Sequence, residues 1–361
     1  MVHPLFSDSR LKLGTFASNV AGGCVKSTLP GRADASWNNA LAISKVADQM
    51  NFEALVPLSR WRGHGGKTDH GSTSLESYTW AAATGACTSH AAVFSTSHIS
   101  TMHPLMAAKQ GATIDQISGG RFALNVVCGW DAPEMEMFGV PMLEHERRYE
   151  AAGEWLHIVR NLWRSPDPVT FEGNYFTVRN ARIGPRPPVG RLPPVMNAGT
   201  SELGRRFAAM HCDIVFITAQ NVTDLSAQVL AYKHAATGYN RSIQVWAYAT
   251  VVDGDSEEEA RRFYHEYVVE RGDWEAANGQ MAALGIMPDS LPPEVFKRFQ
   301  EKLVSGGGHL VLGRPVQIVD QLKAMSDAGL DGVLLSWPQY LAGIQRFQER
   351  VLPLMREAGL R

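Results

Sequence analysis

Short apolar runs alternate along this chain with longer segments in which apolar positions return every three or four residues. The first pattern suits a strand buried on both faces, and the second a helix with one face turned inward. Read this way, residues 12–17, 52–58, 91–97 and 122–128 predict strands, with helices over 35–50, 75–88 and 105–118 between them. After Trp130 a strong helix is expected over 145–164, with Trp155, Leu156, Val159, Leu162 and Trp163 as its inward stripe. Residues 171–178, interrupted by Gly173-Asn174, read as a hairpin-like insertion, and Pro185-Arg186-Pro187-Pro188 as an extended connector. Strands follow at 194–198, 213–217 and 243–252, with helices at 202–211 and 223–237. The acidic stretch 253–259 opens a further helix, with carboxylates in the first turn where the helix dipole favours them.

From 272 to 309 the periodicity weakens, and this piece is expected to be an insertion of helices with a mobile turn at Ser305-Gly306-Gly307-Gly308, a candidate lid. A helix over 315–328, an eighth strand over 332–336 and a closing helix over 342–358 complete the chain. Eight strand–helix units predict one domain over 1–361, an α/β fold of the (β/α)8 TIM-barrel type with insertions at about 165–193 and 271–312. A doubly wound sheet would carry a glycine-rich turn after its first strand, and Asn19-Val20-Ala21-Gly22-Gly23 lacks the G-x-G-x-x-G spacing.

Two features of the 112–130 stretch stand apart from the pattern. Gly119-Gly120 ends a helix and supplies the left-handed turn into the next strand. Within that strand, otherwise apolar, sits Asn125, a poor strand residue that needs a partner if buried.

Composition narrows the picture. At 361 residues and 45% hydrophobic content the chain can build a large core, and a net charge of −2 argues against a general nucleic-acid binder. No apolar run approaches the roughly 18 residues of a membrane span, and the N-terminus has no signal-like apolar core. Cys24, Cys87, Cys128 and Cys212 are widely spaced and read as reduced thiols, so a cytoplasmic protein that engages no membrane is expected.

In a barrel of this type chemistry gathers at the C-terminal ends of the strands. Those ends read Ala17-Ser18-Asn19, Ser59-Arg60-Trp61, Thr96-Ser97-His98, Cys128-Gly129-Trp130, Gly199-Thr200-Ser201, Thr218-Ala219 and Ser336-Trp337-Pro338. The rim is aromatic and neutral-polar with little acid, which suits a large flat ligand better than a metal. His98 and His103, like His64 and His70, lack the paired spacing of a metal site, and no metal is expected. Gly199-Thr200-Ser201 opens a helix and reads either as an anion site of free amides or as an ordinary cap. His145, Arg148 and Tyr149 share one helix face at i, i+3 and i+4, which fits a phosphate or a solvated helix start. Arg62-Gly63-His64-Gly65-Gly66-Lys67 lacks Walker spacing, no G-x-S-x-G elbow occurs, and no carboxylate pair stands out. With no nucleophile or strong base nominated, an enzyme with this rim would draw its chemistry from an organic cofactor.

The run from Ala108 to Trp130, which includes Ala112-Thr113-Ile114-Asp115, Ile117-Ser118-Gly119-Gly120-Arg121-Phe122 and Asn125, resembles the bacterial luciferase-like flavin monooxygenases. So do Leu143-Glu144-His145-Glu146-Arg147-Arg148-Tyr149-Glu150, Ala198-Gly199-Thr200-Ser201, and Gly313-Arg314-Pro315 followed by Asp331-Gly332-Val333-Leu334-Leu335. Trp61-Arg62-Gly63-His64-Gly65-Gly66-Lys67-Thr68 and Leu75-Glu76-Ser77-Tyr78-Thr79 are similar to the pyrimidine (uracil) monooxygenases. Asn19-Val20-Ala21-Gly22-Gly23 and the start at His145 are similar to the dimethyl sulfone and alkanesulfonate enzymes. The third loop, from Thr96 to His103, is more polar than its counterpart in the pyrimidine enzymes.

The resemblance implies reduced FMN (FMNH2), delivered by a separate NAD(P)H:flavin reductase, together with O2, one atom of which enters a small organosulfur or N-heterocyclic substrate. NAD(P)H would then act only indirectly, through the reductase. It places Ser59, Arg60, Asn125, Glu134, Arg148, Tyr149, Gly199 and Ser201 at flavin-contacting positions, with Arg148, Tyr149 and Ser201 at the phosphate. Thr96 and Asn125 would line the oxygen side of the ring, with His98 as a third catalytic candidate. Trp61, His64, His98, Cys128, Trp130 and Trp337 are the candidates for the substrate wall. Such barrels pair through early helices, so a homodimer or homotetramer is expected. A deazaflavin-dependent oxidoreductase on the same barrel and a non-catalytic flavin-binding protein are the alternatives. The intact set of Asn125, Arg148-Tyr149 and Ser201 argues against the latter.

Overall fold

The computed structural model describes residues 2–188, 190–218 and 221–361. Strands β1 (Lys12–Phe16), β2 (Ala54–Val56), β3 (Ala92–His98) and β4 (Phe122–Val127) alternate with helices α1 (Trp37–Gln49), α2 (Ser77–Cys87) and α3 (Pro104–Ile117). A short α4 (Ala132–Glu136) and a long α5 (His145–Arg164) follow, then a hairpin of β5 (Val169–Glu172) and β6 (Thr177–Ala181). The alternation resumes with β7 (Val195–Asn197), α6 (Glu202–His211), β8 (Ile214–Ile217), α7 (Val222–Thr237) and β9 (Gln244–Asp253). After α8 (Glu257–His265), α9 (Trp274–Ala283) and α10 (Pro293–Val304) come β10 (His309–Gly313), α11 (Pro315–Asp327), β11 (Gly332–Ser336), α12 (Tyr340–Arg350) and α13 (Leu352–Glu357).

Eight of the described strands close into a parallel ring in the order β1-β2-β3-β4-β7-β8-β9-β11, with β11 returning to β1. These eight are the strands read from the apolar runs. Side chains alternate across the pleat. Ala54, Val56, Ala92, Phe94, Ala123, Met196, Ile214, Trp246, Tyr248 and Leu334 fill the barrel, while Leu55, Val93, Leu124, Val195, Val215 and Val333 face the helices. Leu5, in the turn Pro4–Phe6, plugs the N-terminal end, where Gln244 Nε2 donates to its carbonyl at 2.8 Å. Gly332 is required by this packing, because a Cβ there would stand 2.5 Å from the Trp246 ring.

The joint before β4 is structural. Gly119 and Gly120 both have positive φ, of 66° and 87°, and Gly120 N donates to Asp115 O at 2.7 Å. Arg121 then ties the base of the barrel together, donating to the carbonyls of Ser118, Ala91, Gly85 and Thr88.

Four features depart from the sequence pattern. His309–Gly313, assigned to the weakly periodic insertion, is a strand that pairs with the outer end of β9. Ala132–Glu136, read as loop, is a helix capped by Asp131, which accepts from Glu134 N at 3.2 Å. The closing helix is two, because Pro353 in the first turn of α13 cannot continue the ladder from α12. The triglycine turn is packed down: a Cβ on Gly306 would lie 2.7 Å from Thr250 Oγ1, and one on Gly308 2.6 Å from the Tyr248 ring.

The insertion is seated on the barrel mouth as a roof. It shares a small core of Val25, Leu29, Tyr267, Val268, Met281 and Val304 with the loop after β1. That loop is stitched to both ends of the insertion through Lys26 N to Val304 O (3.1 Å), Asp273 N to Lys26 O (2.9 Å) and Thr28 N to Arg271 O (2.8 Å).

Candidate active site

The polar wall of the mouth comes from inward positions near the C-terminal ends of β3 and β4, where Thr96 and Asn125 stand side by side in register, one inward step before the His98–Val127 pair. Thr96 Oγ1 donates its only proton to Pro57 O at 2.6 Å, so its oxygen receives Asn125 Nδ2 at 3.1 Å. This fixes the amide: its nitrogen is engaged, and Oδ1 is a buried acceptor with no donor among the described residues. Below, Phe16, Phe216 and Tyr248 form an aromatic floor with ring centroids 5.0 and 5.2 Å apart.

A second group gathers on Arg60, which is 9% exposed. Its guanidinium meets Asp131 Oδ2 at 2.8 Å, Arg62 O at 3.0 Å, His64 Nε2 at 3.3 Å and Glu134 Oε2 at 3.5 Å, and lies 4.9 Å from the Trp130 ring centre. Glu134 Oε1 accepts from Trp61 N at 2.7 Å, and its Oε2 stands 3.6 Å from His98 Nδ1. Burial, reinforced by the Arg60 charge, lowers both His64 and His98 to about 4, so both are neutral at physiological pH. Burial raises Glu134 above the usual carboxyl value against the opposing pull of Arg60.

The third group is a notch between α5 and α6. Ser201 caps α6, accepting from Gly204 N at 3.1 Å, and its Oγ lies 3.0 Å from His145 Nε2. Arg148 Nη2 is 3.0 Å from His145 Nδ1 and its Nη1 donates to Gly129 O at 2.5 Å, while its Nε is buried without a partner among the described residues. A Cβ on Gly199 or Gly204 would fall 2.6 Å from the Tyr149 hydroxyl, so only glycines leave room for that ring at the helix start. Tyr149 keeps its proton, since burial raises it above the usual value. Ser201 therefore acts as the cap, and the helix start beside it, with Arg148 and His145, offers donors of the kind an anion takes.

Thus Arg60, Trp61, His64, Thr96, His98, Asn125, Trp130 and Glu134 gather on the β2–β4 side, with the half-buried Ser59 beside Arg60, and His145, Arg148, Tyr149, Gly199 and Ser201 at the notch. Two expected substrate contacts are corrected. Trp337 is buried in the helix-facing layer, its ring 5.6 Å from both Tyr340 and Phe347, because Gly343 leaves a gap in α12 that the indole fills. Cys128 also packs in that layer, 3.9 Å from Asn197 Nδ2, and burial pushes its thiol up to about 12. His103 caps α3 by accepting from Leu105 N at 3.2 Å. The expected rim segment Thr218-Ala219 lies only in part within the described residues, Ala219 being outside them. The pattern missed Asp131, although an Asp two residues before Pro133 and three before Glu134 is a helix-start signature. It also missed Lys26 and the hydroxyls of Tyr248 and Thr250, which join Ser336 of the expected rim and whose residue types carry no signal outside the fold.

Barrel, donor-lined notch and neutral polar wall together fit a (β/α)8 enzyme built around an organic ligand. The family model for luciferase-like monooxygenases matches residues 11–332, and the chain belongs to that family. It is 31% identical over 358 residues to the FMNH(2)-dependent dimethylsulfone monooxygenase of Pseudomonas fluorescens (strain Pf0-1), covering 97% of this chain and 96% of that one. It is 30% identical over 362 residues to the pyrimidine monooxygenase RutA of Cronobacter turicensis, covering 96% and 93%. Among solved structures, the riboflavin lyase RcaE, crystallised with modified FMN and riboflavin, superposes with a TM-score of 0.87 at 23% identity, over 97% of this chain and 92% of that one, a likeness of fold.

Proposed function

We propose that this chain is the oxygenating component of a two-component FMNH2-dependent monooxygenase, fed by a separate NAD(P)H:flavin reductase and acting on a small organosulfur or N-heterocyclic compound. The observation that carries the reading is Asn125: a buried amide whose oxygen has nothing to accept, next to a threonine whose hydroxyl is already committed. Reduced isoalloxazine carries ring N–H donors, so the free acceptor fits it. Bound FMNH2 supplies the two electrons by which one atom of O2 enters the substrate and the other leaves as water.

The chain's own residues bind, orient and exclude water. Arg148, His145 and Ser201 hold the phosphate at the notch, with Gly199 leaving the helix start bare for it and Tyr149 packed alongside. Arg60 and Glu134 tie the loop after β2, Ser59 included, to the start of α4, which fixes one flank of the ring site. Thr96 holds Asn125 in its orientation, and neutral His98 and His64 place uncharged nitrogens at the mouth without importing water. Trp61, His64 and Trp130 form the substrate wall, and the roof over 274–304 keeps the pocket dry, which protects a reactive oxygen species from solvent. In this reading the chain works as one domain, as a cytoplasmic homodimer or homotetramer; no helix among the described residues is long and apolar enough to cross a membrane.

The test is turnover under ¹⁸O2 with NADH, a flavin reductase and FMN, using dimethylsulfone, methanesulfonate and uracil as probes. A product carrying one labelled atom is expected. FMN binding with no labelled product from any probe would favour the non-catalytic flavin binder, and binding of a deazaflavin in place of FMN would favour the reductase alternative.

A further inference from the structure

Lys26 is the anomaly of the mouth. It is 3% exposed, and among the described residues its ammonium has one hydrogen-bond partner, the Leu303 carbonyl at 3.3 Å. Burial lowers it only to about 8, so at neutral pH most of the population carries the charge. No described carboxylate lies within 4.0 Å of it, and the acids nearby are engaged elsewhere. Both oxygens of Asp273 accept backbone N–H groups, from Ala276 and Thr68, and Asp131 is held by Arg60. The Cys24 thiol, pushed up to about 11 by burial, is uncharged. His70 spends Nε2 on Gly23 O at 3.0 Å, and burial holds it neutral. A buried cation left in this state costs free energy that a counter-ion would return.

The fold says where that counter-ion would sit. Val25 packs into the roof, whereas Cys24 on its barrel side reaches the Tyr248 cluster, so the segment straddles roof and mouth. Lys26 follows β1, which neighbours β11 in the ring, and the notch lies beyond β4 and β7. The ammonium itself lies against the roof at Leu303 and in the field of Arg60 and Asp273, and it makes no contact with the notch residues His145, Arg148 and Ser201, so the FMN phosphate of the proposed reading is not the anion assigned to Lys26. Building on the monooxygenase reading, we propose that Lys26 is the specificity residue for a substrate with a compact oxyanion, a carboxylate, sulfinate or sulfonate, which takes the two N–H bonds of the ammonium that no described residue accepts. Neutral relatives of the same shape leave that charge unpaired and bind more weakly.

The test is calorimetric titration of the flavin-free protein at neutral pH in chloride-free buffer with three matched pairs: methanesulfonate and dimethylsulfone, acetate and acetamide, benzoate and benzamide. The parent is expected to favour the anion of at least one pair by 10-fold or more. Lys26→Met and Lys26→Gln should lose the preference, and neither should melt lower than the parent, since removing the buried charge relieves strain while Gln keeps a donor for Leu303. Equal affinity within every pair, no anion saturating below 10 mM, or a preference that survives Lys26→Met would each overturn the proposal. A lower melting temperature in Lys26→Met with no anion binding would make the residue a cation at the end of α10 and nothing more. Because no flavin or oxygen is used, these outcomes are independent of the ¹⁸O2 experiment.

Discussion

Asn125 can stand in an apolar strand because Thr96, directly across the register, takes its nitrogen and the Pro57 carbonyl takes the threonine proton. The chain of donors ends at Oδ1, a buried acceptor that meets no donor among the described residues and that the proposed function sets against the flavin. Asn125→Ala is therefore expected to leave FMN affinity within a few-fold while raising the fraction of O2 released as H2O2, read from the ratio of peroxide to product. Equal coupling in variant and parent removes the residue from the reaction. At the notch, Arg148→Ala would remove the charge-assisted phosphate contact of the proposed function, worth roughly 1.5–3 kcal/mol, so FMN should bind about 10-fold or more weakly in a fluorescence titration. An unchanged titration would move the phosphate elsewhere.

At the scale of elements, the roof is held by close approaches that only glycine permits. A Cβ on Gly66 would meet Asp273 Oδ1 at 2.3 Å, and one on Gly279 would meet His64 O at 1.9 Å, so α9 lies flat against the loop that carries His64. Gly279→Ala is expected to push the two apart, at about 1–3 kcal/mol of stability, with faster proteolysis between 61 and 72 and a raised KM. A variant that melts with the parent and resists protease equally would show the roof to be held by its own core alone. This joint was not legible in the sequence: a glycine inside a weak helical pattern looks like a defect until its neighbour across the mouth is known. The same holds for β10, whose apolar run needed the outer end of β9 before it became a strand.

For the whole molecule, folding buries several histidines without giving them carboxylate partners strong enough to keep a proton. His3, His64, His98 and His211 are each lowered by burial to about 4, against 6.5 in the unfolded chain. The unfolded state then binds more protons between these values, so stability is complete above pH 6.5 and declines as pH falls from 6.5 toward 4. Melting temperature followed across that window should drop, and His98→Gln should flatten the slope. A curve level from pH 7 to 4.5 would contradict the burial that the fold assigns to these rings.

The sequence by itself determined the barrel and the list of residues at its rim, because strand period, helix period and the order of the units are local properties that each short segment carries. The same locality made Ser201 and Arg148 visible beside their helix starts. What only the tertiary structure decided is which rim residues share a space. Trp337 and Cys128 sit at strand ends like their neighbours, yet the pleat and the gap at Gly343 turn them toward the helices. Lys26 looks like any loop lysine until the roof closes over it and every nearby carboxylate proves to be engaged elsewhere. Pairing, burial and the fate of a charge depend on groups far apart in the chain, and those are fixed only when the barrel closes.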